Sequence, residues 1–221
     1  MIEAAIFDLN GTLIDDMRAH GRAWSQVVRE LGVEVPPARF EQDLAGMKHG
    51  ETFAAVLGRK LPDAQVVRLA EHKEALYRDI YRPELRLVGG ARELIERLRA
   101  QGVKTAIATA APRANRDFAL DGLGIRGLFD ALVGEEQAPR GKPAPDLYLA
   151  AARALGVAPS RCIVFEDAVN GVRAGVAAGM RVAAIATGTP ADKLRNAGAE
   201  FTISDFANLP RALEALLFDP G

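Results

Sequence analysis

The stretch "AIFDLNGTLIDD" (residues 5–16) decides how this sequence is interpreted. An apolar run ends there at Asp8, and the small polar residues Asn10, Gly11 and Thr12 follow. Because the apolar residues are nearly continuous rather than alternating, the run is typical of a strand buried on both faces of a parallel sheet. The stretch therefore predicts a buried strand that ends in a carboxylate, with an amide, Asn10, two residues further on.

Other short apolar runs predict five more strands. They are "VKTAIAT" (103–109), "ALV" (131–133), "CIVFED" (162–167), "RVAAIAT" (181–187) and the weaker "AEFTIS" (199–204). Helical periods lie between them, with one apolar face at 91, 94, 95 and 98 and another at 169, 172 and 176. Strands that alternate with helices predict a doubly wound, Rossmann-like α/β domain with a parallel sheet.

One connection breaks this alternation. After the first strand, about 70 residues of helical pattern precede the second strand, and one apolar face there contains Trp24, Val27, Val28 and Leu31. The segment "YRPELRLVGG" (81–90) then returns the chain with proline and glycine. We interpret residues 16–84 as a helical cap domain inserted into an α/β core domain of residues 1–15 and 85–221.

Composition limits the classes of partner. Of the 221 residues, 49% are hydrophobic and 26% charged, and the formal net charge is -1. This balance argues against a nucleic-acid surface or a polybasic membrane patch. The lone cysteine, Cys162, and the lack of a signal-peptide pattern predict a cytoplasmic protein, which we expect to be a monomer or weak dimer.

Polar residues cluster at the predicted carboxyl ends of the strands, where doubly wound sheets bind ligands. They are Asp8, Asn10, Thr109, Lys142, Glu166 and Asp167. Carboxylates are suitable ligands for Mg²⁺, and an aspartate can also act as a nucleophile toward phosphorus. A lysine and a threonine could hold the remaining phosphoryl oxygens. The set predicts Mg²⁺-dependent phosphoryl transfer.

Four ordered motifs resemble the haloacid dehalogenase superfamily. They are "FDLNGTL" (7–13), "IATA" (107–110), "GKPAPDLY" (141–148) and "VFEDAVNGVRAG" (164–175). The resemblance implies that Asp8 is the nucleophile, that Thr109 and Lys142 bind the transferring phosphate, and that Glu166 and Asp167 bind Mg²⁺. It also implies that the backbone carbonyl of Asn10 is a metal ligand, and that the cap closes over the cleft and selects the substrate.

Within that superfamily the sequence is similar to the beta-phosphoglucomutase-like and sugar-phosphate phosphatase branch. "HGRAW" (20–24) resembles the cap entry of that branch, and "LAGMKHGETF" (44–53) resembles its specificity loop. By this resemblance we expect substrate contacts from the cap and from the loop after the second strand. The residues are Trp24, Gly46, Lys48, His49, Thr52 and Ala110. We expect His72 to be solvated and Lys73 to form a surface ion pair.

Asn10 departs from the usual pattern of the superfamily, which has an aspartate there to exchange protons with the leaving group. An amide does not titrate in the useful range. Four explanations are open: a good leaving group, such as an acyl phosphate or anhydride; a proton from His20 or, behind it, His49; an engineered Asn10 that traps a complex; or binding with little turnover.

We predict a Mg²⁺-dependent phosphatase that acts on a small phosphorylated metabolite through an aspartyl-phosphate at Asp8. A beta-phosphoglucomutase is an alternative. It is disfavoured because a mutase needs a titrating group twice, and because His49 stands where the mutase has an arginine for the distal phosphate. The second alternative is a protein that binds a phosphorylated metabolite with little turnover.

Overall fold

Six parallel strands form one sheet with the order β3-β2-β1-β4-β5-β6. The computed structural model describes residues 1–42, 44 and 47–219. The strands are β1 (Ala4–Phe7), β2 (Lys104–Thr109), β3 (Ala131–Gly134), β4 (Cys162–Glu166), β5 (Arg181–Ile185) and β6 (Phe201–Ile203). All six predicted strands are confirmed, and the α/β fold with them.

The described residues contain ten α-helices. They are α1 (Met17–Glu30), α2 (Pro37–Gln42), α3 (His49–Leu57), α4 (Asp63–Tyr81), α5 (Ala91–Ala100), α6 (Arg113–Gly122), α7 (Asp146–Leu155), α8 (Val169–Ala177), α9 (Ala191–Asn196) and α10 (Arg211–Phe218). Among these residues, no helix combines the length and apolar character needed to cross a bilayer.

The predicted apolar faces of the core helices are confirmed in one case and wrong in another. On α5, the residues Ala91, Leu94, Ile95 and Leu98 are all buried. On α8, Val172 is buried but Val176 is 45% exposed. The buried face of α8 is instead rich in small residues, since a Cβ atom on Gly175 would lie 2.8 Å from a methyl group of Val182 on β5.

The chain divides into two compact units. One contains Met1–Asp15 and Arg86–Gly221, and the other contains Asp16–Leu85. The second unit has its own apolar core, in which Val27, Val28 and Phe53 are fully buried. The function of this unit as a cap stays a prediction.

Candidate active site

Three carboxylates meet at the carboxyl ends of two neighbouring strands. Asp8 directly follows β1, Glu166 is the last residue of β4, and Asp167 comes next. All three are buried, and one oxygen from each lies within 4.8 Å of the others. Such a set of hard oxygen donors fits Mg²⁺.

Lys142 supplies the positive charge of this cluster. Its Nζ donates to Asp8 Oδ1 over 2.8 Å and also to Glu166 Oε1. Burial favours the neutral amine, but the two carboxylates outweigh it and raise the pKa of Lys142 well above its usual value. The ammonium group is therefore charged and held against the candidate nucleophile.

The carboxylates repel one another despite this lysine. Burial raises the pKa of Asp8 to about 6; Lys142 acts against that shift and Glu166 adds to it. Burial and the charges of Glu166 and Asp8 also raise the pKa of Asp167 well above its usual range. Because one ammonium does not balance three carboxylates, the site is electrostatically suited to a divalent cation.

Glu166 is held in place by donors on several sides. Its Oε1 accepts from the hydroxyl of Tyr148 over 3.0 Å, and its Oε2 accepts from the backbone N–H groups of Asp167 and Ala168, each over 2.8 Å. A Cβ atom at Gly171 would lie 1.7 Å from Glu166 Oε1, so only glycine fits there. Tyr148 belongs to the "GKPAPDLY" motif, but nothing in that motif predicted its contact with Glu166.

The predicted Asn10 lies in the turn that follows Asp8. The N–H of Gly11 donates to the carbonyl of Ile14 over 2.7 Å, and Asn10 and Ile14 form a short parallel bridge. Thr12 Oγ1 donates to Asp167 Oδ1 over 3.1 Å. The strand ends at Phe7, directly before Asp8, because this turn redirects the backbone.

Thr109 completes the group in the first unit. It is the buried last residue of β2, and its hydroxyl hydrogen-bonds to Asp8 and accepts from the N–H of Ala111. Ala110, the predicted substrate contact that follows it, is exposed. The structure thus brings Asp8, Thr109, Lys142, Glu166 and Asp167 together, as expected for strands that end at one edge.

In the second unit, three predicted residues surround a lysine and a glutamate on α4. Lys73 Nζ lies 2.7 Å from His20 Nδ1 and donates to Glu74 Oε1 over 2.9 Å. His49 Nε2 lies 3.0 Å from that same oxygen of Glu74. The Trp24 ring lies 5.4 Å from Lys73 Nζ. These contacts place His20, Trp24 and His49 in one cluster.

The expectation of a surface ion pair at Lys73 is wrong, because Lys73 is 3% exposed. Burial lowers its pKa, although the charge of Glu74 opposes this shift. Burial would raise the pKa of Glu74, but the hydrogen bond with His49 and the charge of Lys73 outweigh burial and hold this pKa below its usual range. When Lys73 is an ammonium group, which only donates, His20 Nδ1 is the acceptor in this contact.

The remaining predicted residues of the second unit have local contacts. Thr52 is buried, and its hydroxyl donates to the carbonyl of Lys48 over 3.2 Å. Lys48 is exposed, with its backbone N–H donating to Glu51. His72 is partly exposed and lies 2.9 Å from Glu30 Oε2. Gly46 lies outside the described residues.

Comparison with known proteins points to one family. Residues 2–179 match the profile of the haloacid dehalogenase-like hydrolases. The chain is 36% identical over 199 residues to hexitol phosphatase A of Escherichia coli (strain K12), covering 86% of this chain and 85% of that protein. Two longer relatives from Arabidopsis thaliana are 34% and 31% identical, and the matches span 20% and 50% of their lengths.

Solved structures show the same fold. A family IA, variant 3 hydrolase from Entamoeba histolytica superposes with a TM-score of 0.89 at 30% identity, covering 98% of each chain. A second solved structure is an Asp-to-Asn variant of CbbY from Rhodobacter sphaeroides in complex with xylulose-(1,5)bisphosphate. It superposes with a TM-score of 0.79 at 28% identity, covering 95% of this chain and 96% of that one. These matches confirm the resemblance stated from the four motifs.

Proposed function

Because this chain belongs to the haloacid dehalogenase-like hydrolases, we propose that it is a Mg²⁺-dependent phosphatase acting on a small phosphorylated metabolite through an aspartyl-phosphate at Asp8. One observation carries this proposal: three buried carboxylates lie within 4.8 Å of one another, with Lys142 held on Asp8. The named activity of hexitol phosphatase A supports it.

In the first step, a carboxylate oxygen of Asp8 attacks phosphorus. The bond from phosphorus to the leaving oxygen breaks, and that oxygen takes the electron pair. Lys142 and Thr109, which both contact Asp8, offset the charge of the phosphoryl oxygens. In the second step, water attacks the same phosphorus and the bond to Asp8 breaks, with Asp8 taking the electron pair as a carboxylate. Both protons of the water leave with the product as dihydrogen phosphate.

Four groups would hold the metal ion: the side chains of Asp8, Glu166 and Asp167, and the backbone carbonyl of Asn10. When bound, Mg²⁺ supplies positive charge that reduces repulsion between Asp8 and the incoming phosphate. Glu166 is fixed by Tyr148 and backbone N–H groups, so its carboxylate needs little reorganisation.

Asn10 shapes the choice of substrate. It cannot protonate a leaving oxygen, and general acid–base help is typically worth about 10²–10⁴-fold in rate. His20 is a weak substitute through Nδ1, since that atom is already hydrogen-bonded to Lys73. Leaving groups that depart unprotonated, such as those of acyl phosphates and anhydrides, are therefore favoured over sugar alkoxides.

A second candidate, binding with little turnover, has one observation in its favour. The neighbouring CbbY structure that contains a bound bisphosphate is itself an Asp-to-Asn variant. Measurement of both metal-dependent binding and phosphate release from one set of ligands separates the two candidates. Binding without release over hours supports the second.

Asp8→Ala tests the catalytic assignment directly. The variant should release no phosphate while keeping the circular dichroism spectrum of the parent. Asp192→Ala, which removes an exposed carboxylate from α9, is the matched control and should retain parental turnover. Parental turnover in Asp8→Ala would refute the aspartyl-phosphate. Product analysis with β-glucose 1-phosphate separates the mutase: glucose 6-phosphate supports it, and free phosphate the phosphatase.

A further inference from the structure

Thr187 reaches the turn after Asp8 from a distant part of the chain. Its Oγ1 donates to the carbonyl oxygen of Gly11 over 2.5 Å. Thr187 lies two residues beyond β5, and the adjoining Ala186 is anchored by its N–H, which donates to the carbonyl of Ile203 over 2.8 Å. The hydroxyl is therefore presented from a fixed segment.

The contact between Thr187 and Gly11 joins segments that follow two non-adjacent strands of the sheet. β4 lies between β1 and β5 in the sheet, so the turn that leaves β1 crosses the end of β4 before it meets Thr187. On the way, Thr12 donates to Asp167. Two threonine hydroxyls, one from the turn and one from the segment after β5, thus tie the turn to two different strand ends.

The contact fixes the orientation of one peptide group. In a trans peptide the C=O and N–H point in opposite directions, so holding the Gly11 carbonyl also sets the direction of the Thr12 N–H. Gly11 has φ of +74°, and a Cβ atom there would lie 2.1 Å from Asp167 Oδ2. Glycine is required at this position, but its backbone is also the easiest to rotate, so a tether is needed to keep one orientation.

We infer that Thr187 is a positioning residue that holds the Asp8–Thr12 turn in the orientation required for metal binding and phosphoryl transfer. The inference rests on the proposed function of Asp8 and of the Asn10 carbonyl. Thr187 acts through the Gly11 carbonyl and touches none of the reacting atoms. Partners that orient metal ligands from outside typically contribute about 10–100-fold to affinity or activity.

Thr187→Val removes the hydroxyl and keeps the shape of the side chain, and Thr187→Ser keeps the hydroxyl. Thr202→Val is the control: it makes the same substitution on β6, where the hydroxyl accepts from Arg195. Mg²⁺ affinity is measured by calorimetry without substrate, and kcat and KM by phosphate release. Thr187→Val should weaken Mg²⁺ binding about tenfold and lower kcat more than it raises KM. Thr187→Ser should stay within about twofold of the parent, as should the control.

Parental Mg²⁺ affinity and kcat in Thr187→Val would overturn the inference and leave the proposed function intact. If the parent itself neither binds Mg²⁺ nor releases phosphate, the proposed function fails. The hydrogen bond between Thr187 and the Gly11 carbonyl is then tested separately by NMR. Thr187→Val must then shift the amide resonances of Gly11 and Thr12 more than Thr202→Val does. Unchanged resonances would refute the tether itself.

Discussion

Lys142 Nζ lies 2.8 Å from Asp8 Oδ1, although 134 positions separate the two residues in the chain. The same ammonium group also contacts Glu166. One cation therefore serves two carboxylates, while Asp167 is a third carboxyl group in the same cluster. This imbalance explains why the cluster suits a divalent cation. Replacing a member of the cluster should therefore change turnover, stability or Mg²⁺ binding by a measurable amount.

Lys142→Met should reduce turnover by about 10²–10³-fold, because it removes the charged donor that faces the phosphoryl oxygens. It should also lower the melting temperature in EDTA, since Asp8 and Glu166 lose their shared cation. Steady-state kinetics and thermal unfolding measure the two effects. Lys104→Met is the control: Lys104 donates to the carbonyl of Leu155 and not to the cluster. Parental kinetics in Lys142→Met would contradict the assigned role.

Asp167→Asn should have opposite effects on the protein without and with Mg²⁺. The raised pKa of Asp167 means that its charged form is disfavoured in the fold, so the neutral amide should raise stability in EDTA by about 1 kcal/mol near neutral pH. The same change removes a metal ligand, so the rise in melting temperature that Mg²⁺ gives the parent should disappear. Thermal unfolding in EDTA and in Mg²⁺ tests both statements. An unchanged response to Mg²⁺ would remove Asp167 from the metal site.

Gly11→Ala should destabilise the protein far more than an ordinary glycine replacement. Its Cβ atom would overlap with Asp167 Oδ2, whereas the Cβ of Gly102→Ala meets nothing within 4 Å at a similar φ of +75°. The control isolates the cost of the left-handed backbone, about 1 kcal/mol. Urea unfolding should show a larger decrease in the free energy of unfolding for Gly11→Ala than for Gly102→Ala. Equal losses for the two variants would mean that the turn has room for a side chain.

Glu74→Gln should destabilise the second unit by about 3 kcal/mol near neutral pH, because it leaves the buried Lys73 without its carboxylate. Trp24 is the only tryptophan in the chain and lies beside Lys73, so its fluorescence reports this unit during urea unfolding. Glu30→Gln is the control, since Glu30 pairs with His72 on a half-exposed surface. It should cost less than about 1 kcal/mol.

The cost of Glu74→Gln should depend on pH. The pKa of Glu74 in the folded protein lies below its usual value of 4.5. The charged form therefore stabilises the fold above pH 4.5, and this contribution is lost as pH falls through the folded-state pKa. The difference in free energy of unfolding between the parent and Glu74→Gln should accordingly shrink below pH 4.5. A gap that stays constant down to pH 3 would show that the carboxylate charge does not contribute.

The strands were predictable because each is a continuous apolar run, and the principal site followed from the polar residues at their ends. Boundaries were less accurate: "RVAAIAT" was predicted as a strand to Thr187, but β5 ends at Ile185. The contacts of Tyr148, Thr12 and Thr187 were not predictable, because each joins residues that are 18 to 176 positions apart in the chain. Lys73 was misplaced because its neighbours in sequence are charged, whereas in the fold it contacts His20 and Trp24 on α1.

Phosphate release is the most direct test of the central claim. Acyl phosphates, pyrophosphate and sugar phosphates are compared in Mg²⁺ and in EDTA, with the parent, Asp8→Ala and Asn10→Asp. We predict release from acyl phosphates or pyrophosphate by the parent in Mg²⁺ only, none by Asp8→Ala, and about 10²–10⁴-fold faster release from sugar phosphates by Asn10→Asp. Release that persists in EDTA or in Asp8→Ala, or no release from any compound by either the parent or Asn10→Asp, would contradict a Mg²⁺-dependent phosphatase acting through Asp8.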